Sequence, residues 1–193
     1  MSKKKNDFQE YNMLRNEMLQ YLSEAQTVRN MMYVLTVTIL GFSLSREQSK
    51  ILIYVYLLPL IVIIPSFIIA IDYWKCIVKA ATYLQVFYES IDDCPFKWES
   101  RIQAIDKEFD FMTQKYYQHL PYILSAIVCI LLYFCNISWW EIGKCDNKHI
   151  LFQVILGSII LIICIGVYCK FRQVNREAYL KHWQQVKTSI MEK

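Results

Sequence analysis

The chain reads as an all-α integral membrane protein, a four-helix bundle in the bilayer with helical extensions on the cytoplasmic side. Three observations predict this. Four runs, residues 31–44, 51–71, 120–137 and 150–169, contain no Asp, Glu, Lys or Arg, and three of them reach the roughly 18 to 21 helical residues that a hydrocarbon core of about 30 Å requires. Seventeen of the 21 Lys and Arg fall in three blocks, 1–30, 72–119 and 170–193, while the other two connections hold only Arg46, Lys50, Lys144 and Lys148. Lys and Arg beside spans are retained in the cytoplasm during insertion, so both termini and the central segment belong inside. The third observation is that each basic block carries apolar residues at helical spacing.

In chain order, the first element is a helix over 7–29. Phe8, Tyr11, Leu14, Met18, Tyr21 or Leu22, Ala25 and Val28 recur every three or four positions and draw one apolar stripe. No Pro or Gly interrupts it, so this helix runs straight into the first span, 31–45. That span is the most polar, with Thr36, Thr38 and Ser43. Without it, nine basic residues would face twelve and the charge asymmetry would nearly vanish. Four spans is therefore the better reading. A cleaved signal peptide fits poorly, because residues 1–30 are polar and no small-x-small site follows the run.

The second span, 51–71, contains Pro59 and Pro65. Each removes a backbone donor and crowds the carbonyl four residues earlier, which makes the pair a candidate hinge, with an ordinary proline kink as the alternative. Beyond the span, Trp74, Ile77, Ala81, Leu84, Tyr88 and Ile91 step by three and four, predicting a coiled-coil-like helix over 73–91. Asp92-Asp93-Cys94-Pro95 breaks it. A second arm over 96–118 follows, with Trp98, Ile102, Ile105, Phe109, Met112 and Tyr116 in register. Arms of this length, roughly 27 to 30 Å, form a hairpin. Spans at 120–137 and 150–169 precede a tail helix over 171–190, marked by Tyr179, Trp183, Val186 and Ile190. Trp74, Leu84, Trp98, Ile102, Phe109 and Trp183 are the candidate core or interaction stripe. Truncating a core aromatic such as Trp98 or Phe109 to Ala then costs on the order of 3 to 5 kcal/mol.

At 193 residues and 55% hydrophobic, the chain has room for a single membrane domain, 1–193, with a modest soluble portion. The motifs of nucleophilic hydrolases, zinc proteases and phosphate-binding loops are all missing, so no catalytic residue, cofactor or metal is expected. Seven cysteines and three histidines are scattered over spans and both faces without a C-x-x-C pair. No ionisable group interrupts a span, which gives little support to a substrate pathway. The basic residues alternate with 17 acids, leaving no footprint for direct nucleic-acid binding. Tyr54, Tyr56, Trp139 and Trp140 at one set of span ends, and Tyr73, Trp74, Tyr116, Tyr117, Tyr122 and Tyr168 at the other, are expected as interfacial anchors.

This layout of cytoplasmic helix, two spans, hairpin, two spans and tail resembles small membrane proteins of bacterial anti-phage defence: the four-span effectors associated with nucleotide-second-messenger synthases (SMODS-associated), the two-span SLATT effectors and the membrane subunit of Kiwa. The resemblance is one of topology over the whole chain and transfers no functional residue. It implies an inner-membrane homo-oligomer whose cytoplasmic helices receive a signal or a protein partner. Three function classes stay open: a sensor or effector of this kind, a small channel or transporter, and an accessory scaffold without activity of its own.

Overall fold

With no breaker in the amino-terminal stripe, helix α1 runs unbroken over Ser2–Leu44, about 65 Å at 1.5 Å per residue. The computed structural model describes residues 2–44, 55–90, 97–108, 114–136, 147–172 and 174–192. The predicted turn at 92–95, the side chain of Phe109, and Arg46, Lys50 and Lys144 lie outside these. After a 3₁₀ turn at 55–57 come α2 (Leu58–Leu84), a π-helical turn (Gln85–Glu89), α3 (Trp98–Glu108), α4 (Gln114–Asn136), α5 (Asn147–Arg172) and α6 (Arg176–Met191). The described residues contain no strand, so the chain is all-α. One helix among them, Val55–Glu89, is long and apolar enough to cross a membrane; His119–Cys135 and Val154–Cys169 are shorter apolar helices.

Of the arm predicted over 96–118, the described residues lie in α3 and at the start of α4, and 109–113 fall outside them. One boundary differs from expectation. The tail helix predicted from 171 begins at Arg176, because Asn175 takes an extended backbone (φ −111°, ψ 113°) and its side chain accepts from the Glu177 N–H at 2.9 Å. Asn followed by an acid in the first turn is a helix-start signal legible in the sequence. Of the hinge prolines, Pro59 stands in the first turn of α2, where a missing N–H costs no helical bond. Pro65 interrupts the interior of α2, and Pro121 does the same in α4.

The backbone divides into two compact units. One comprises Met1–Thr27, Ala70–Tyr117 and Val174–Lys193; the other comprises Val28–Ile69 and Gln118–Gln173. Twenty-eight of the 38 charged residues belong to the first unit, and the ten in the second all lie outside the four apolar runs. Composition therefore separates the units as sharply as the backbone does.

In the first unit Tyr11, Ala81 and Leu84, three stripe positions, are buried together with Val78, Val86 and Val174. Trp98, placed in the core or interaction stripe, is the opening residue of α3 and is 51% exposed, which removes it from the core of the described residues. The Arg15 guanidinium lies over its ring, 4.9 Å from the centroid. The expected cost of Trp98→Ala accordingly falls to about 1 kcal/mol, the scale of an exposed cation–π contact.

In the second unit Met32, Leu60, Ile63, Phe67, Cys129 and Tyr133 form the interior. Tyr56 and Tyr122, expected as interfacial anchors, are buried instead. Gly157 allows a close approach in α5, since a Cβ there would stand 2.8 Å from Cζ of Phe134. Outside this interior the helices are lined with large apolar side chains in the open, among them Val34, Val37, Ile61, Leu131 and Ile162.

Candidate functional site

The polar centre of the first unit is built around the π-helical turn that ends α2. A π turn widens the helix by one residue and disturbs the regular pairing of its carbonyls, a feature frequent at functional sites. Here the Val86 carbonyl accepts from Lys187 Nζ at 2.8 Å and from the Ser90 hydroxyl at 2.6 Å, and Lys187 also donates to Ser90 Oγ at 2.6 Å. Lys187 comes from α6, so the tail is fastened to the turn through a cation. Both α3 and α6 pack against this turn.

Glu89, the last residue of the turn, is only 4% exposed. Its carboxylate is met by four donors: Oε1 accepts from the Glu99 N–H at 2.8 Å and the Tyr11 hydroxyl at 3.4 Å, and Oε2 from the N–H and hydroxyl of Ser100, both at 2.7 Å. The two backbone donors belong to the first turn of α3, which has no intrahelical acceptors for them. Glu89 thus caps α3 from a distant helix, and its negative charge suits that helix end. With roughly four lone-pair sites on a carboxylate, the group is saturated and is not poised as a general base. Burial, reinforced by the Glu89 charge, pushes the Tyr11 phenol up to about 12. Glu99 in turn faces Arg176 at 3.6 Å, tying the start of α6 to α3.

Beside this centre lies a cleft of about 430 Å³. Glu10, Leu14, Glu17 and Tyr21 of α1 line one wall and Cys76, Lys79, Ala80 and Tyr83 of α2 the other, with Trp183 of α6 at the margin. The spacing of each set is that of one helix face. Both carboxylates are oriented by phenols: Tyr21 donates to Glu17 at 2.7 Å and Tyr83 to Glu10 at 3.4 Å. The first bond and the Glu17 charge raise the Tyr21 phenol to about 12, and burial followed by the Glu10 charge raises that of Tyr83. Trp183 sets its edge against Tyr83 and Phe87, with ring centroids 5.2 and 6.2 Å away, and its buried Nε1–H has no acceptor among the described residues. Carboxylates, a cation, aromatic faces and an unused indole donor suit recognition of a polar surface.

The predicted stripe residues are distributed unevenly. Trp74 and Ile102 are half-buried, Leu84 is fully buried, Trp98 is exposed, and Trp183 borders the cleft. All of these belong to the first unit, whereas Pro59 and Pro65 belong to the second. The capping carboxylate Glu89 and its partners Tyr11 and Ser100 were not legible as a site, because an acid at a stripe edge reads as a solvated residue. Among the described residues no three His, Cys, Asp or Glu side chains group closely enough to hold a metal ion. No family model matches the chain, and no curated protein or solved structure is similar to it.

Proposed function

We propose that this protein is a multi-pass inner-membrane sensor or effector of bacterial anti-phage defence, which self-associates and receives a cytoplasmic protein partner on its charged unit. One observation carries the membrane part. The second unit exposes large apolar side chains on α1, α2, α4 and α5, with Val34, Val37, Ile61 and Ile162 each about two-thirds exposed. Water seldom tolerates so many large exposed hydrocarbon side chains on a soluble surface. A bilayer does, provided that every backbone group is satisfied within helices. The 17-to-4 distribution of basic residues then orients the four spans with both termini in the cytoplasm.

The partner part rests on the first unit. It holds most of the charge and the mixed cleft along α1 and α2, surfaces suited to association and not to bond-making. Self-association is supported by Gly41 and Gly166, around which a Cβ would meet nothing within 4 Å. Such faces admit the close approach of a helix from a second copy. The defence role comes from the topological resemblance alone.

Reporter fusions test the topology: a periplasm-dependent reporter is expected to be silent after residues 30, 95 and 193 and active after 48 and 145. A signal at residue 95 overturns it. Function is tested by cross-linking in native membranes, which is expected to yield species larger than a monomer, and by a phage challenge, in which Pro65→Ala is expected to alter protection while expression persists. A strictly monomeric chain that confers no protection would leave the accessory-scaffold reading ahead.

A further inference from the structure

Helix α6 belongs to the first unit without contributing to its core. A helix of this length is marginal in water by itself and depends on burying an apolar face, yet no residue of Arg176–Met191 is buried. Ile190 and Met191 at its end are 61% and 73% exposed. Its polar and aromatic attachments among the described residues are spaced along one side. At the start, Arg176 Nη2 faces Glu99 Oε2 at 3.6 Å. In the middle, the Trp183 ring sets its edge against Tyr83 and Phe87. One turn later, Lys187 Nζ donates to the Val86 carbonyl at 2.8 Å and to Ser90 Oγ at 2.6 Å.

Two of these attachments are incomplete while α6 is docked. Nε1 of Trp183, and Nε and Nη2 of Arg176, are closed off from solvent and have no hydrogen-bond acceptor among the described residues. A donor in that state has given up water without gaining a partner, so each one favours a position of α6 in which it is hydrated. Lys187 opposes them with two bonds to the π turn, whose disturbed carbonyl pairing presents Val86 to a cation from another helix. The junction before α6 suits movement. Val174 is 5% exposed and anchored in the unit, and Asn175 after it is extended, an element-terminal position of the kind that absorbs hinge rotation. We infer that α6 is a detachable strap: it lifts as one piece about Asn175, with Lys187 as its catch on the π turn. Lifting bares the rings of Tyr83 and Phe87 and so lengthens the cleft between α1 and α2 at its Trp183 end. The inference concerns the first unit alone and depends neither on the bilayer reading nor on which partner the cleft receives.

Hydrogen exchange of the purified full chain in detergent, read peptide by peptide in a mass spectrometer, tests this. In the unmodified chain, amides over 180–190 are expected to share one rate, about tenfold or more above that of α2 over 76–84, as befits a unit that opens separately. Lys187→Met removes the ammonium and keeps an unbranched stem. It is expected to speed exchange over 180–190 by about tenfold, the scale of a lost hydrogen-bonded cation at a half-exposed site, and to raise hydroxyl-radical oxidation of Tyr83 and Phe87. Exchange over 76–84 and in α3 is expected to stay as it was. Lys181→Met, at an exposed position of the same helix, is the matched control and is expected to change nothing. Exchange over 180–190 as slow as in α2, or fast only toward Met191 as in a fraying end, overturns the strap. So does equal acceleration by the two lysine substitutions, or an acceleration by Lys187→Met that spreads evenly over the whole first unit.

Discussion

The two units are built from helices with similar apolar periodicity, yet they treat exposure in opposite ways. In the first, Glu89 is buried and saturated by donors while α1 and α6 turn most of their polar residues outward. In the second, the interior holds Thr36 and Ser43 beside Met32, Leu60, Ile63 and Cys129, while Val34, Val37, Ile61, Leu131 and Ile162 face outward. The difference teaches that amphipathicity specifies an inside only relative to a solvent. A helix whose exposed residues are as apolar as its buried ones has no hydrophobic direction in water and must be positioned by packing, as at Gly157 against Phe134.

The contrast breaks most sharply at Glu89. Glu89→Ala leaves two α3 N–H groups, the Ser100 hydroxyl and the Tyr11 hydroxyl without their acceptor, and is expected to destabilise the first unit by about 4 kcal/mol. Thermal unfolding in detergent, followed by tryptophan fluorescence, measures this; a loss near zero would mean that the cap is not part of the folded unit. Next comes a matched pair of exposed isoleucines, Ile162 in α5 at 67% and Ile190 in α6 at 61%. If the second unit faces lipid, Ile162→Lys costs about 3 kcal/mol of insertion free energy, whereas Ile190→Lys in water stays within about 0.5 kcal/mol. The fraction of chain glycosylated or protected in a membrane-insertion assay reads the first, and a melting curve the second. Equal tolerance of the two lysines would erase the distinction between the units.

A pH series sharpens the same comparison. Tyr11 holds its proton to about pH 12 when folded but loses it near its ordinary value of 10 when unfolded. Its contribution is therefore complete below pH 10 and lost as pH rises from 10 to 12. Melting temperature should decline over that window, and Tyr11→Phe should remove part of the decline, because Tyr21 and Tyr83 are shifted in the same direction. The smallest effect expected is at the α5 glycines. Gly166→Ala, in open space, should stabilise by about 0.5 to 1 kcal/mol through helix propensity, while Gly157→Ala should show less of this gain because Phe134 must move. Comparable gains at both positions would show that α5 is not held at Gly157.

Much of the helical framework was legible, for reasons that particular residues make plain. The uninterrupted stripe from Phe8 to Val28 predicts one continuous helix, and α1 is continuous. Trp74 to Tyr88 predicts the inward face of α2, where Ala81 and Leu84 are buried. Spacing placed Trp98 on the stripe but could not tell that it opens α3 and stands 51% exposed. The tail helix, expected from 171, starts at Arg176 because its beginning is set by the Asn175 cap, whereas the apolar stripe that predicted it begins only at Tyr179. The candidate cleft was less legible still, since Glu10 and Glu17 look like solvated acids until Tyr83 and Tyr21 are seen to orient them.

By itself the sequence determined the all-helical class, the separation of charged from apolar segments and the asymmetry of its basic residues, because periodicity and composition act over a few neighbouring positions. Only the tertiary structure decided that a π turn at the end of α2 presents Glu89 to α3 and the Val86 carbonyl to Lys187, and that Phe67 and Tyr122 stack along an apolar cleft. Those relations join residues from 10 to 101 positions apart in the chain. Their energies come from satisfying buried donors and acceptors at a common place, a condition that no local pattern encodes.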